Sequence, residues 1–373
     1  MDKIYFILGE MTHLRYFIPL VREYNRRKIS SCFLIYFSGK YNCPSKHGDE
    51  LDKACEKYNI EKVPANNFKE KNKIIFGVEK SCAVAVEQLG MKRQNNFYVL
   101  ISTFDYLENY DFYSKYAKNI IFPSRWFLDR CKSFIGDPRM KTTSWSEEKI
   151  KSHKNVCIGS PKYDIELDKE KILNKYHLTN KKKVLFLFPS ISFSCNGYAA
   201  DQFWITKERR GLSKKQICDI YDAIRSLGFE VLVKSRAKFP IDKDCLGDHN
   251  FHDESWFPHT TMELLEVSDL AIMVGSSSMK ECVLQKTPFI NIELMNDKVL
   301  ANATNFFHPL LQYEYCQIYK SAPDINELKN KIKHLTSHEF SEEFKKATET
   351  YFFQGKGSSE KIVDFVNNQD KNE

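Results

Sequence analysis

The sequence lacks the cysteine patterns that mark zinc sites and redox motifs. Its 11 cysteines are scattered singly between Cys32 and Cys316, and no C-x-x-C pair occurs among them. Cys32 and Cys157 lie inside apolar runs, where a free cysteine behaves as a small hydrophobic residue. Unpaired cysteines of this kind are typical of a reducing compartment, so we expect a cytoplasmic protein.

Long hydrophobic runs are missing as well. The first ten residues, MDKIYFILGE, contain only five apolar residues in a row, which is too few for a signal-peptide core. No run approaches the roughly 20 apolar residues that span a bilayer. We therefore expect no membrane-spanning segment, and peripheral association with the inner membrane surface stays an open alternative.

Neither sign of charge dominates enough to indicate a protein that coats nucleic acid. The chain carries 56 Lys and Arg against 49 Asp and Glu, which gives a net charge of +7. An anionic small substrate and an acidic membrane surface fit this mild excess equally well, and a lysine-rich composition without consequence for partners fits it too. We expect no nucleic-acid partner.

Common cofactor and metal motifs are also absent. No G-x-G-x-x-G or Walker sequence occurs, which disfavours dinucleotide-dependent oxidoreductases and P-loop ATPases. The near match DKD at 242–244 to an Asp-x-Asp motif does not follow a buried strand, so we predict no metal site and no cofactor. The segment DHNFHDESWFPH holds three histidines in a predicted loop, where contact with a substrate is a better expectation than metal binding.

What the sequence does contain is a regular alternation of apolar strands and amphipathic helices. Strands are predicted at 3–8, 31–37, 97–102, 119–124, 155–159, 181–190, 229–234, 270–274, 288–292 and 317–320. Helices are predicted between them, for instance at 14–27, 49–58, 213–227 and 261–268, in the region from Val78 to Leu89, and at 357–368 near the end. Such alternation is typical of parallel sheets with helices on both faces. We predict two α/β halves, joined near 159–171.

One stretch, SDLAIMVGSSSMKECVLQKTPFINIE from Ser268, carries the clearest functional signal. Its apolar strand ends in Gly275, Ser276, Ser277 and Ser278, and a helix containing Glu281 follows. In an open parallel sheet, ligands bind at the carboxyl ends of the strands. The glycine and the small hydroxyls would let a phosphate approach the backbone, and Glu281 could accept hydrogen bonds from ribose hydroxyls. A capping box between Ser278 and Glu281 explains the same residues without a ligand.

The order of motifs resembles the donor-nucleotide half of the GT-B-fold glycosyltransferases and their relatives. These relatives include the CDP-glycerol glycerophosphotransferases, the capsule sugar transferases and the non-hydrolysing UDP-N-acetylglucosamine 2-epimerases. The similarity covers roughly 180–366: VLFLFPS, VLVKSRAKFP, the strand headed by Asp269 with its serine turn, KTPFINIE and the closing YFFQGKGSSEKIVDFV. The resemblance implies a GT-B fold, with two Rossmann-like parallel-sheet domains that face a cleft.

The resemblance also assigns roles to residues and domains. It implies that the donor nucleotide is bound by Ser190, Lys234, Arg236, Gly275, Ser276, Ser277, Ser278 and Glu281. Arg236 stands where these families carry the histidine of a Lys-x-His-Pro motif. The implied domains are an acceptor-binding domain over 1–162, a nucleotide-sugar-binding domain over 163–356, and a final helix over 357–373 that crosses back to the first.

The first strand and the loop after it, ILGEMTHLRYFIPL, resemble the start of such transferases, for instance the lipid-linked N-acetylglucosaminyltransferase of peptidoglycan synthesis. An inverting transfer needs a base to deprotonate the acceptor hydroxyl, and His13 or Glu10 could serve. A polar cap at the beginning of a helix explains His13 equally simply. Asp105, after the strand 97–102, is a further candidate for the base.

The leading interpretation is therefore a metal-independent glycosyltransferase. It would move a sugar from a nucleotide-sugar donor to a glycan, lipid or other acceptor in the synthesis of surface polysaccharide or glycoconjugates. Its partners would be the nucleotide-sugar and a glycan or lipid-linked acceptor. Alternatives are an NDP-sugar 2-epimerase, a CDP-glycerol-type polyol-phosphate transferase, and a nucleotide-binding protein without turnover.

Overall fold

The structure is a computed structural model with two parallel β-sheets. It describes residues 2–36, 47–69, 73–79, 82, 86–87, 89–90, 94–101, 115–133, 148, 151, 153–188, 212–235, 241, 243–252, 255–292, 308–353 and 357–370. These residues fall into two compact units. Unit 1 comprises Met1–Ile165 and Glu349–Glu373, and unit 2 comprises Glu166–Thr348.

Unit 1 is built on a seven-stranded sheet, sheet A, in the order β3-β2-β1-β4-β5-β6-β7. Its strands are β1 Asp2–Leu8, β2 Ser30–Tyr36, β3 Glu61–Pro64, β4 Ile74–Val78, β5 Gln94–Leu100, β6 Ala117–Phe122 and β7 Lys154–Cys157. Neighbouring strands pair in parallel throughout. The central strands are buried along most of their length because helices cover parallel sheets on both faces.

Unit 2 is built on a six-stranded parallel sheet, sheet B, in the order β10-β9-β8-β11-β12-β13. Its strands are β8 Lys183–Leu187, β9 Glu230–Lys234, β10 His249–Phe251, β11 Leu270–Val274, β12 Phe289–Ile292 and β13 Cys316–Tyr319. At the amino end of β11, the Asp269 carboxylate accepts the Lys183 N–H at 2.8 Å. Asp269 therefore ties β11 to β8 at the edge opposite the strand ends where a ligand would bind.

Four of the described helices begin at a short polar side chain that caps them. Those of unit 1 are α1 Leu14–Arg27, α2 Gly48–Tyr58, α3 Arg125–Lys132 and α10 Ser358–Asp370. Those of unit 2 are α4 Lys169–Lys175, α5 Lys214–Ser226, α6 Thr260–Glu266, α7 Met279–Leu284 and α8 Ile325–Ser337, while α9 spans Ser341–Tyr351. Ser124, Asp168 and Asp324 each accept a backbone N–H from the first turn, and Ser213 forms a capping box with Gln216.

Helix α10 packs against the first half of unit 1. Asp164 accepts the backbone N–H groups of Ser358 and Ser359 at 3.2 and 2.5 Å, so a residue distant in sequence caps the helix. Along the helix, Asp364 accepts a hydrogen bond from Arg27 of α1 at 2.5 Å. Gly159 lies beside this cap with a φ of +100°, and a Cβ placed there would lie 2.0 Å from the Ser358 Oγ.

The two parallel sheets confirm the predicted α/β class with two Rossmann-like sheets. Some elements differ from the prediction. Val78 ends strand β4 and does not begin a helix, because the run IIFGV forms a buried central strand. The short strands β3 and β10 were not predicted, and β10 falls in the histidine-rich segment that we expected to be a loop. No helix in the described ranges is both long enough and apolar enough to cross a membrane.

Candidate functional site

The order of strands reverses direction between β8 and β11 in sheet B. From β8, the chain adds β9 and β10 on one side, and later adds β11, β12 and β13 on the other. Open α/β sheets bind ligands at such a switch point, outside the carboxyl ends of the two central strands, because the loops there diverge. In this chain, the serine turn, Gly275–Ser278, directly follows β11. It therefore lies at the point of sheet B where a ligand is expected.

The serine turn has an open, half-buried geometry. Gly275 takes a φ of +52°, in the left-handed region that favours glycine. The Ser278 N–H donates to the Ser276 Oγ at 3.2 Å, and the Lys280 N–H donates to the Ser277 carbonyl at 3.3 Å. All four residues of the turn are partly exposed. Hydroxyls and backbone of the turn can thus be reached by a polar ligand.

Glu281 lies in the first turn of α7 and is only 4% exposed. Ser278, which precedes the helix, makes no capping hydrogen bond through its side chain. The capping-box explanation for Ser278 and Glu281 is therefore wrong. Burial, and secondarily the Glu281 charge, raises the pKa of the neighbouring Cys282 thiol well above its usual range, so this cysteine is not a reactive thiolate.

The carboxyl end of β9 supplies buried positive charge to the same edge of sheet B. Lys234 is 5% exposed, and its Nζ donates to the Ser235 carbonyl at 2.8 Å. The backbone pairing of β8 and β9 extends past the strands, with the Phe188 N–H donating to the Lys234 carbonyl at 2.8 Å. Ser190 and Arg236, the other two predicted donor residues of this region, lie outside the described residues.

Sheet A has its own switch point, between β1 and β4. Glu10 follows β1 in the turn that leads into the 3-10 helix Met11–His13 and then α1. Glu10 is partly exposed and accepts a hydrogen bond from the Thr12 hydroxyl at 3.3 Å. The structure thus brings one predicted base, Glu10, to the ligand edge of sheet A. Asp105 lies outside the described residues.

His13 is in a different environment from Glu10. It is 3% exposed, its backbone N–H donates to the Glu10 carbonyl at 3.0 Å, and its ring lies edge-on to Phe17. Burial lowers the pKa of His13 from 6.5 to about 3, while a hydrogen bond with the Ile7 backbone acts in the opposite direction. A neutral imidazole with so low a pKa is a weak proton acceptor near neutral pH.

Asn291 is a buried polar residue near the serine turn that the sequence did not suggest. It lies on β12, and its side chain is 0% exposed. Neither atom of its amide has a hydrogen-bond partner in the described part of the chain. In the register of sheet B, Asn291 stands opposite Met273 of β11, two residues before the serine turn. An unsatisfied buried amide is uncommon, because it costs stability.

Within the described ranges, no group of three or more His, Cys, Asp or Glu side chains is placed to hold a metal ion. The histidines at 249, 252 and 259 do not form such a group. His252 instead forms a hydrogen bond with Ser235, which the sequence could not indicate because the contact depends on the pairing of β9 with β10.

Comparison with known proteins defines the fold. No family model matches the chain, and no curated protein matches its sequence. Among solved structures, the wall teichoic acid polymerase TagF is similar over 100% of this chain and 89% of its own, at a TM-score of 0.60 and 15% identity. The kitacinnamycin glycotransferase is similar over 99% of this chain and 98% of its own, at a TM-score of 0.54 and 11% sequence identity. UGT71G1 of Medicago truncatula, complexed with UDP-glucose, is similar over 98% of both chains, at a TM-score of 0.53 and 12% sequence identity.

These structures share the GT-B fold, and they match nearly the whole of this chain. The chain therefore has the fold of the GT-B glycosyltransferases, as its motif order implied. At such low sequence identity, the comparison defines the fold alone.

Proposed function

We propose that the chain is a GT-B glycosyltransferase that moves a sugar from a nucleotide-sugar donor to a glycan or lipid-linked acceptor. The reaction would belong to the synthesis of surface polysaccharide or of a glycoconjugate. The observation that carries the proposal is the position of the serine turn, Gly275–Ser278, at the switch point of sheet B. In a fold that serves many chemistries, the function has to be argued from such a site.

Unit 2 would bind the donor nucleotide. The left-handed Gly275 and the small serines leave room for phosphate oxygens beside the backbone, and Ser276–Ser278 would donate hydrogen bonds to them. Glu281, in the first turn of α7, would accept hydrogen bonds from the ribose hydroxyls. The buried lysines Lys234 and Lys280 add positive charge at or next to this edge, which favours a diphosphate.

Unit 1 would bind the acceptor and supply the base. In an inverting transfer, a carboxylate takes the proton of the acceptor hydroxyl as its oxygen attacks the anomeric carbon and the bond to the diphosphate breaks. Glu10 suits this role better than His13 because it is partly exposed, whereas His13 is buried with a strongly lowered pKa. His13 would then hold the turn in shape. We propose that the transfer needs no metal ion, since Lys234 and the serine turn would stabilise the departing diphosphate.

A thermal-shift screen tests the proposal. The compounds are UDP, CDP, CMP and GDP, their common sugar conjugates, and CDP-glycerol. A ligand at one hundred times its Kd stabilises the native state by about 2.7 kcal/mol. We expect one nucleotide family to raise the Tm, and we expect Ser276→Ala combined with Ser277→Ala to abolish the shift.

Ser268→Ala is the matched control for that experiment. Ser268 precedes β11 at the opposite edge of sheet B, where its hydroxyl donates to the Leu264 carbonyl at 2.6 Å. This variant should keep the ligand-induced shift of the wild type. If no nucleotide or conjugate raises the Tm, the donor site and the transferase function are both wrong. A response to CDP-glycerol alone would instead favour a polyol-phosphate transferase, the chemistry suggested by the likeness to TagF.

A further inference from the structure

A serine–histidine pair lies at the carboxyl edge of sheet B, beside the donor residues described above. Ser235 follows β9 and His252 follows β10, and the parallel pairing of these strands brings both residues to the same edge. The Ser235 Oγ and the His252 Nδ1 are 2.5 Å apart. Ser235 is 1% exposed, whereas His252 is exposed. A buried hydroxyl therefore orients an imidazole that a ligand can reach.

The backbone beneath this pair is held by hydrogen bonds on both sides. The Ser235 N–H donates to the Phe251 carbonyl at 2.9 Å, one residue past the end of β9. The Ser235 carbonyl accepts the Lys234 Nζ at 2.8 Å. Strand ends fixed in this way hold side chains more precisely than free loops do. The pair is thus a preformed feature of the edge, with a buried positive charge next to it.

A hydroxyl that donates to the Nδ1 ring nitrogen of His252 would fix the form of the imidazole. A buried serine hydroxyl needs an acceptor, and among the described residues the His252 Nδ1 lies within hydrogen-bond distance of the Ser235 Oγ. When the hydroxyl donates to Nδ1, the proton of a neutral ring lies on Nε2. The exposed ring then presents an N–H donor at Nε2, which suits an anionic oxygen.

The spacing of the strands gives the separation that a ligand would have to bridge between His252 and the serine turn. Strands β10 and β11 are separated by β9 and β8, which makes three strand spacings, or about 14 Å. The His252 side chain, together with one hydrogen bond to the ligand at His252 and one at the serine turn, would account for much of this separation. A diphosphate with its attached sugar or ribose fills the rest.

We propose that His252, oriented by Ser235, donates a hydrogen bond from Nε2 to a phosphate of the donor from the β10 side of the site. This inference rests on the proposed function, because it takes the donor to lie at the switch point of sheet B. His252 would be a ligand-contacting residue, and Ser235 would be a positioning residue. The probe that reports on this contact is inorganic pyrophosphate, which carries the phosphates without base or sugar.

Calorimetric titration with pyrophosphate tests the contact. We expect His252→Ala to weaken binding roughly tenfold or more, as loss of a hydrogen bond to a charged group does. Ser235→Ala should weaken binding by a smaller factor, and Ser235→Thr, which keeps the hydroxyl, should restore it. The matched control is His249→Ala, since His249 lies on the same strand three residues earlier. It should bind as the wild type does.

Nitrogen-15 NMR of histidine-labelled protein tests the orientation without any ligand. The His252 ring should show the Nε2–H form in the wild type and in Ser235→Thr, and a mixture of forms in Ser235→Ala. Unchanged pyrophosphate affinity in His252→Ala, no pyrophosphate binding by the wild type, or an Nδ1–H ring in the wild type would each overturn the inference. If the nucleotide screen succeeds while His252→Ala binds pyrophosphate normally, only this inference fails and the donor site stands.

Discussion

Replacement of Glu281 by glutamine separates donor binding from folding more cleanly than any other single change. Glu281 is 4% exposed, so a truncation to alanine would leave a cavity and confuse the two effects. Glutamine keeps the volume and removes the charge. Because Ser278 makes no capping hydrogen bond, no capping box is lost with the carboxylate. The glutamine oxygen can still accept a hydrogen bond, so we expect the stability of the fold to change less than the affinity for the donor.

The expected magnitudes follow from these contacts. Hydrogen bonds from ribose hydroxyls to a charged carboxylate contribute about 1.5–3 kcal/mol, so Glu281→Gln should weaken nucleotide binding roughly 10- to 150-fold. The free energy of unfolding should fall by about 1 kcal/mol at most, because glutamine keeps the side-chain volume and its amide oxygen can still accept a hydrogen bond.

The assay is calorimetric titration with the nucleotide identified in the screen, beside urea unfolding of the same preparation. Glu266→Gln is the matched control, because Glu266 ends helix α6 of the same unit, outside the serine turn. It should change neither quantity. An unchanged nucleotide affinity in Glu281→Gln, with the stability lowered, would refute the ribose contact and leave Glu281 a structural residue.

Three further predictions concern metal, a buried amide and pH. Treatment with a chelator should leave both nucleotide binding and turnover unchanged, and a loss that added Mg²⁺ restores would contradict this. Asn291→Leu should raise the free energy of unfolding by about 1–3 kcal/mol, because it removes a buried amide without a described partner. Thr287→Val should lower it in the same urea assay, because the Thr287 hydroxyl donates to the Leu265 carbonyl at 3.2 Å. His13 has a folded pKa of about 3 against 6.5 when unfolded, so the unfolded state binds more protons and stability falls as pH drops from 6.5 to 3. His13→Gln should flatten that fall, and an identical pH profile of unfolding would show that His13 is not buried as a neutral ring.

The sequence identified the fold through local patterns and missed the elements that lack them. Strands such as KVLFL at β8 and LAIMV at β11 are largely apolar, and burial on both faces explains their composition. Strand β4 was missed because it carries Gly77, and a glycine weakens the pattern of a strand. The structure shows why a glycine stands there: a Cβ at this position would lie 2.8 Å from the Cys82 Sγ. Strand β3 is largely exposed at the edge of sheet A, and β10 has three residues. Neither shows a periodic apolar pattern.

Only those parts of the candidate site that depend on a single continuous segment could be predicted from the sequence. The serine turn could be placed at a strand end because a glycine and three serines stop an apolar run. The reversal of strand order between β8 and β11 is a long-range pairing, and no local pattern encodes it. The same holds for the contact of Ser235 with His252 and for the burial of His13, since each depends on neighbours distant in sequence.

The capped helix α10 has a consequence for the way this protein is made. The chain leaves unit 1 at Ile165 and returns to it at Glu349, so unit 2 is one continuous segment and unit 1 is not. On the ribosome, unit 2 is fully synthesised while unit 1 still lacks the helix that Asp164 caps. Ile362, Val363 and Val366 of that helix are fully buried, so their partner surface stays uncovered until the helix has been synthesised. We therefore expect unfinished chains to contain a folded unit 2 and an incomplete, aggregation-prone unit 1.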